Sequence, residues 1–132
     1  MAPRISLALA IHNHQPVGNF SSVLEEAHER CYRPFLRTLH RYPQFRFAAH
    51  FSGWLLDWLL AHHPQDMALL KEMVARGQVE LFGAGDCEPV LASIPQRDRI
   101  GQLNALTDKL QRRFGACVEG AWLTERVYIP TV

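Results

Sequence analysis

The stretch ISLALAI at residues 5–11, followed at once by His12-Asn13-His14, sets the fold of this chain. Its apolar residues run almost without interruption, which is typical of a strand covered on both faces in a parallel sheet. The run leads into a polar segment and not into a small-residue cleavage site, so a buried strand is favoured over a signal peptide.

Three further apolar stretches, at residues 45–51, 79–82 and 118–123, are separated by segments with helical periodicity. Strands that alternate with helices predict an α/β fold with a parallel sheet and crossover connections. A chain of 132 residues normally forms one domain, and we expect residues 1–132 to do so. A complete barrel of this type takes about 250 residues. Four strands therefore predict about half a barrel, or a small open sheet.

Helix boundaries are signalled by capping residues. Ser22 and Glu25 have the spacing of a capping box, and Ser93 can cap the longest helix. Gly77 and Gly115 are expected to end helices, because glycine readily adopts the left-handed conformation found there.

Composition excludes several classes of function. The net charge is +1 with acids and bases interspersed, so no basic face for nucleic acid is expected. No apolar run approaches the ~18 residues of a membrane span. The three cysteines form no Cys-x-x-Cys motif, which argues against a zinc ribbon or a redox pair and fits reduced thiols in the cytoplasm.

Polar side chains follow each predicted strand. His12 and His14 follow the first strand, His50 ends the second, Glu88 comes after the third and Glu125 after the fourth. Because the carboxyl ends of parallel strands share one rim, where ligand sites form, we expect these residues to converge.

Metal-assisted hydrolysis is one chemistry that this set could support. The His-x-His spacing puts His12 and His14 on the same side of a strand. Together with His50 and Glu88 they could hold a metal ion with an open coordination position.

Glycoside hydrolysis is the second chemistry that these strand-end residues could support. It uses two carboxyl groups, one attacking or stabilising the anomeric carbon and one protonating the leaving oxygen. Histidines would then bind sugar hydroxyls, and Trp122 offers a platform for stacking a sugar ring. Arg126 could keep Glu125 ionised, as a nucleophile requires.

Three stretches, at residues 11–20, 85–95 and 122–127, resemble in order three motifs of glycoside hydrolase family 57. The subgroup of 4-α-glucanotransferases is the most similar. The resemblance implies a (β/α)7 barrel, of which this chain would supply about the first four strands. It also implies retaining hydrolysis or glucanotransfer on α-1,4-glucans and maltooligosaccharides, with no metal and no other cofactor.

The resemblance further implies residue roles. Glu125 matches the catalytic nucleophile, and His12, His14, Glu88 and Trp122 match residues that line the sugar subsite. The family's acid aspartate lies on a later motif that has no counterpart in these residues. We therefore expect a chain that is inactive alone, and that either binds a complementing polypeptide or self-associates through an open sheet edge. A non-catalytic, glucan-binding remnant is the alternative.

Overall fold

A three-stranded parallel sheet forms the centre of the molecule in the computed structural model, which describes residues 5–130. The strands are β1 (Ala10–Asn13), β2 (Phe47–Phe51) and β3 (Val79–Phe82), in the order β1-β2-β3. The predicted α/β class with a partial parallel sheet is thereby confirmed.

Helices connect the strands. After β1 the chain forms α1 (Ser21–Ala27), a π-helical segment (His28–Tyr32) and α2 (Arg33–His40). Between β2 and β3 lie α3 (Gly53–His62) and α4 (Pro64–Ala75), and after β3 comes α5 (Gln96–Phe114). Short 3-10 turns occupy Leu91–Ser93 and Thr124–Arg126. None of the helices described is long and apolar enough to cross a bilayer.

The predicted helix ends are confirmed and the predicted helix starts are wrong. Gly77 and Gly115 adopt left-handed φ angles of 70° and 68° after α4 and α5. The first helix begins at Ser21 without a side-chain cap, because its N-cap residue is Phe20, whose side chain has no hydrogen-bond acceptor. Ser93 lies in a 3-10 turn, and α5 begins only after Pro95.

The first strand is shorter and more exposed than the apolar run predicts. Pairing with β2 begins at Ala10, while Ile5 and Leu7 are 93% and 80% exposed. The reason is that β2 begins only at Phe47, so residues 5–8 have no strand beside them.

A regular fourth strand is also not formed. Residues 118–123 meet the end of β3 through one parallel bridge, Gly83 to Ala121. The Gly83 N–H donates to Gly120 O at 2.9 Å, and the Trp122 N–H donates to Gly83 O at 2.8 Å. The backbone of Gly120 passes so close to the Phe82 ring that a Cβ there would lie 2.8 Å from it. The segment therefore adjoins the sheet at the rim without extending along it.

The core lies between the sheet and the helices. The central strand β2 is buried along almost its whole length, as expected for a parallel sheet covered on both faces. The helices contribute fully buried aliphatic side chains to this core: Leu55, Leu56, Leu59, Leu70, Met73, Leu106 and Leu110. This packing holds the carboxyl ends of the strands in fixed positions.

Candidate functional site

The ends of β1 and β2 bring two histidines together. His12 is in register with His50, and their Nδ1 atoms share a hydrogen bond of 2.8 Å. The Asn13 side chain donates to His50 O at 3.0 Å, and the Ser52 N–H donates to Asn13 O at 3.1 Å. These bonds tie the two strand ends to each other.

Glu88 lies among three imidazoles. Its side chain is only 4% exposed, and its Oε2 atom contacts His14 Nδ1. Its Oε1 atom is 3.3 Å from His50 Nδ1 and 3.7 Å from His12 Nε2. The rings of His12 and His14 stack at 5.8 Å, as the His-x-His spacing predicts. We call His12, His14 and His50 around Glu88 the imidazole cluster.

The loop that carries Glu88 is fixed from behind by residues that the sequence did not indicate as functional. The Gly53 N–H donates to Asp86 O at 2.8 Å, and the Cys87 N–H donates to Gln102 Oε1 at 2.9 Å. Lys109 Nζ lies 2.8 Å from Asp86 Oδ1 and donates to Gly53 O at 3.1 Å. The one sequence signal for this close packing is Gly53 at the start of α3, because glycine is a poor helix former and its presence there needs another reason.

Trp122 and Glu125 complete the rim. The indole ring stacks on His12 with centroids 4.4 Å apart and an angle of 5°. Glu125 is exposed and follows within the Thr124–Arg126 turn. The rim cleft, a space of about 340 Å³, is lined by His12, His14, Glu88, Trp122, Leu123, Thr124, Glu125 and Arg126.

Backbone strain is concentrated at this cleft. Within residues 5–130, the non-glycine residues with positive φ are Glu88 (51°), Glu125 (54°) and Arg126 (55°). Such conformations are unfavourable for residues with a Cβ and cluster at functional sites, where the surroundings hold them in place. The strain supports the rim cleft as the functional site.

Burial controls the charges in the imidazole cluster. Burial, followed by the neighbouring charges of His12 and His14, lowers the pKa of His50 to about 3. The pKa of His12 is lowered by burial and by His14. Burial raises the pKa of Glu88; His14 opposes that rise and the negative charge of Glu125 adds to it. At neutral pH, His12 and His50 are therefore uncharged.

Most of the predicted site residues do meet. His12, His14, Glu88, Trp122 and Glu125 line one cleft, while His50 lies fully buried beneath it. The expected pairing of Arg126 with Glu125 is not formed: the ion pairs found within residues 5–130 do not include these two side chains.

The parallel sheet defines an α/β protein, and its polar cleft lies at the carboxyl ends of the strands, where ligand sites form in folds of this class. The family model of glycosyl hydrolase family 57 matches residues 8–132. This chain therefore belongs to glycosyl hydrolase family 57.

Relatives with curated names match along nearly the whole chain. An alpha-amylase from Pyrococcus furiosus is 50% identical over 130 residues, which is 98% of this chain and 20% of that protein. A 4-alpha-glucanotransferase from Thermococcus kodakarensis is 49% identical over 126 residues, 96% of this chain and 19% of that protein. The chain thus spans about a fifth of the length of these relatives.

A solved structure is also similar to this chain in fold and in sequence. The crystal structure of the 4-alpha-glucanotransferase from Thermococcus litoralis superposes with a TM-score of 0.94 at 46% identity. It is matched over 98% of this chain and 20% of its own.

Proposed function

We propose that this chain is the N-terminal part of a retaining enzyme that hydrolyses α-1,4-glucans or transfers glucan segments, with Glu125 as nucleophile. The observation that carries the proposal is the rim cleft, where Glu125 lies with His12, His14, Glu88 and Trp122. The names of its relatives, alpha-amylase and 4-alpha-glucanotransferase, support the substrate class.

Sugar binding would use the other lining residues. His12 covers one face of the Trp122 indole, so a sugar ring would stack on the opposite face. His14 and Glu88 would bind hydroxyl groups, and the hydrogen bond between them preorganises the carboxylate for that task. Because His12 Nδ1 is bonded to His50 Nδ1, an uncharged His12 would offer its Nε2 atom to a sugar hydroxyl, as a donor or as an acceptor according to its tautomer.

The chemistry would begin with attack of Glu125 on the anomeric carbon, forming a glycosyl–enzyme bond as the glycosidic bond breaks. The leaving oxygen then needs a proton, and general acid catalysis contributes about 10²–10⁴-fold. Glu88 is committed to His14 and buried, which argues against that role. We assign the acid to a part of the enzyme outside these 132 residues, on the same or a complementing polypeptide. Without it, glucan turnover should be negligible.

Labelling with an activated fluorinated glucosyl fluoride tests the nucleophile without the acid, since fluoride leaves unprotonated. We expect one covalent glucosyl group on a Glu125 peptide by mass spectrometry, and none in Glu125→Gln. Glu119→Gln, at an exposed glutamate six positions before the proposed nucleophile, is the matched control and should still label. Folded protein that takes no label at Glu125 would remove the assignment.

Two alternatives make different predictions. A glucan-binding remnant would bind maltooligosaccharide equally well in the native chain and in Glu125→Gln, with no label in either. A metal-dependent hydrolase, favoured by the grouping of His12, His50 and Glu88, would lose turnover on chelation and regain it with zinc.

We also propose a cytoplasmic location. Cys31, Cys87 and Cys117 are free and exposed. Exposed thiols of this kind persist in reducing compartments.

A further inference from the structure

We infer that His12, His50 and Glu88 form a binding site for a divalent late transition metal, best suited to Zn²⁺, and that the bound ion excludes glucan from the rim cleft. The ion would act as an inhibitor, not as a cofactor. Metal binding follows from the geometry alone, and only the competition with glucan rests on the proposed function.

The spacing of the ligand atoms fits a small tetrahedral ion. Two ligands at about 2.0–2.2 Å from such an ion lie about 3.3–3.6 Å apart. Glu88 Oε1 is 3.3 Å from His50 Nδ1, and one ligand atom from each of the three residues lies within 4.8 Å of the others. His12 Nδ1 and His50 Nδ1 are 2.8 Å apart, so an ion that replaces their shared proton needs only a small separation of the rings.

Glu88 has unmet bonding capacity on the side where the ion would bind. Its Oε1 atom is buried and accepts no hydrogen bond of good geometry, although His50 Nδ1 is near. His12 Nδ1 and His50 Nδ1 form a hydrogen bond of 2.8 Å with each other, so the proton in that bond, on whichever ring it resides, points to the other ring and not to Glu88. A buried carboxylate oxygen without a donor is unfavourable, and a bound cation would satisfy it.

The ligand types select the metal. Two imidazole nitrogens with one carboxylate suit zinc and its neighbours, whereas calcium and magnesium prefer oxygen ligands. His14 holds the second carboxylate oxygen of Glu88, the kind of outer contact that orients a metal ligand. The fourth coordination position would be filled by water entering past His12, whose side chain is 29% exposed.

Competition follows because the same side chains serve both ligands. His12 and Glu88 cannot coordinate an ion and bind sugar hydroxyls at once. Zn²⁺ and a maltooligosaccharide should therefore each weaken the binding of the other.

The test is calorimetric titration of the full chain with Zn²⁺, together with Co²⁺ as a visible probe. We expect one ion per chain and d–d absorption without a thiolate charge-transfer band. Glu88→Gln, which keeps the side-chain shape, should weaken binding at least tenfold. Cys87→Ser and His63→Gln should not change it. They control for the exposed thiol beside Glu88 and for the other possible ligand group, His28, His63 and Asp66.

Absence of stoichiometric binding, or its loss in Cys87→Ser or His63→Gln, would overturn the inference. Circular dichroism establishes that each variant is folded. If Glu88→Gln does not fold, the same titration is made with His12→Gln, which should also weaken Zn²⁺ binding. The His12 side chain is partly exposed, so its replacement disturbs the fold less than that of the buried Glu88. Zn²⁺ binding that maltoheptaose does not oppose would keep the metal site and count against the proposed glucan site. Maltoheptaose binding without Zn²⁺ binding would keep the proposed glucan site and overturn the metal site.

Discussion

Gly53 is the residue where α3 begins against the loop that carries Glu88. A Cβ at this position would lie 1.9 Å from Asp86 Oδ1 and 2.7 Å from the Asp86 backbone oxygen. Because the backbone must move to relieve the second contact, we predict that Gly53→Ala destabilises the fold by about 1–3 kcal/mol. It should also weaken maltooligosaccharide binding, since Glu88 moves with the loop. Urea denaturation and calorimetry measure the two effects.

Gly101 supplies the matched control within α5. A Cβ there meets nothing within 4 Å, so Gly101→Ala should stabilise the fold by about 0.5–1 kcal/mol through helix propensity. Equal effects of the two substitutions would show that the contact with Asp86 is not what requires glycine at position 53.

Lys109 is a second residue whose effect should reach the loop of Glu88. Burial alone would lower its pKa, but hydrogen bonds to Asp57 and Asp86 raise it, so the charged form is favoured. Lys109→Met leaves Asp86 without its cation and should destabilise the fold by about 1–3 kcal/mol. The exposed Lys71 is the control, and Lys71→Met should change stability by less than about 0.5 kcal/mol. Thermal melts that do not separate the two variants would refute the prediction.

At the level of elements, a buried polar network joins the π-helical segment and α2 to α4. Asp66 accepts hydrogen bonds from His28 at 2.9 Å, Arg33 at 3.2 Å and Arg37 at 2.7 Å. His63 stacks on His28 with centroids 3.7 Å apart and also contacts Glu25. No local sequence pattern indicates this network, because its partners come from helices that are distant along the chain.

This network predicts sensitivity to acid. Burial, more than any other cause, lowers the pKa of His28, although its bond to Asp66 opposes the shift. Burial would raise the pKa of Asp66, but the hydrogen bonds from Arg37, His28 and Arg33 outweigh it and lower that pKa. Both groups bind protons less readily when folded, so their stabilisation is present at neutral pH. The part from His28 is lost as the pH falls below about 6.5, and the part from Asp66 below about 3.9.

Chemical denaturation at pH 7.5 and pH 5.5 measures the summed effect of His28 and of the other histidines whose pKa values are lowered, His12 and His50, and a substitution at His28 separates its share. The free energy of unfolding should be smaller at the lower pH, and His28→Asn should reduce the difference. His40→Asn is the control, because His40 lies in an exposed pair with Glu72. A difference that is equally large in all three proteins would assign the pH dependence to other groups.

The elements also show what the sequence could predict. The limits of β3 were predicted without error, because a short apolar run between turn signals has little freedom. The length of β1 was not, because strand length depends on a neighbour to pair with, and β2 begins late. The site residues were predicted from one topological rule about strand ends, whereas Gly53, Gln102 and Lys109 act through contacts that no local pattern encodes.

For the whole molecule, the largest departure from the predicted fold is the exposed segment at residues 5–8, which was predicted to be part of the first strand but precedes β1. Leu7 and Leu9 line an open apolar cleft of about 450 Å³ with Phe47 and Phe82, and Leu7 is 80% exposed. Exposed apolar surface beside an unpaired strand edge promotes association. In the relatives, four fifths of the protein lies outside the matched region, so other segments are available there to cover this surface.

We therefore predict that the 132-residue chain associates as its concentration rises. Sedimentation should show larger species at higher concentration, and Leu7→Ser should shift the distribution towards the monomer. Ile100→Ser is the control, because Ile100 is an exposed aliphatic residue on α5, away from the strand edge. A monomer at all concentrations, with a cooperative melt, would contradict the prediction and mean that the exposed edge does not cause association. Equal effects of the two substitutions would mean that association depends on general hydrophobicity and not on the edge of β1.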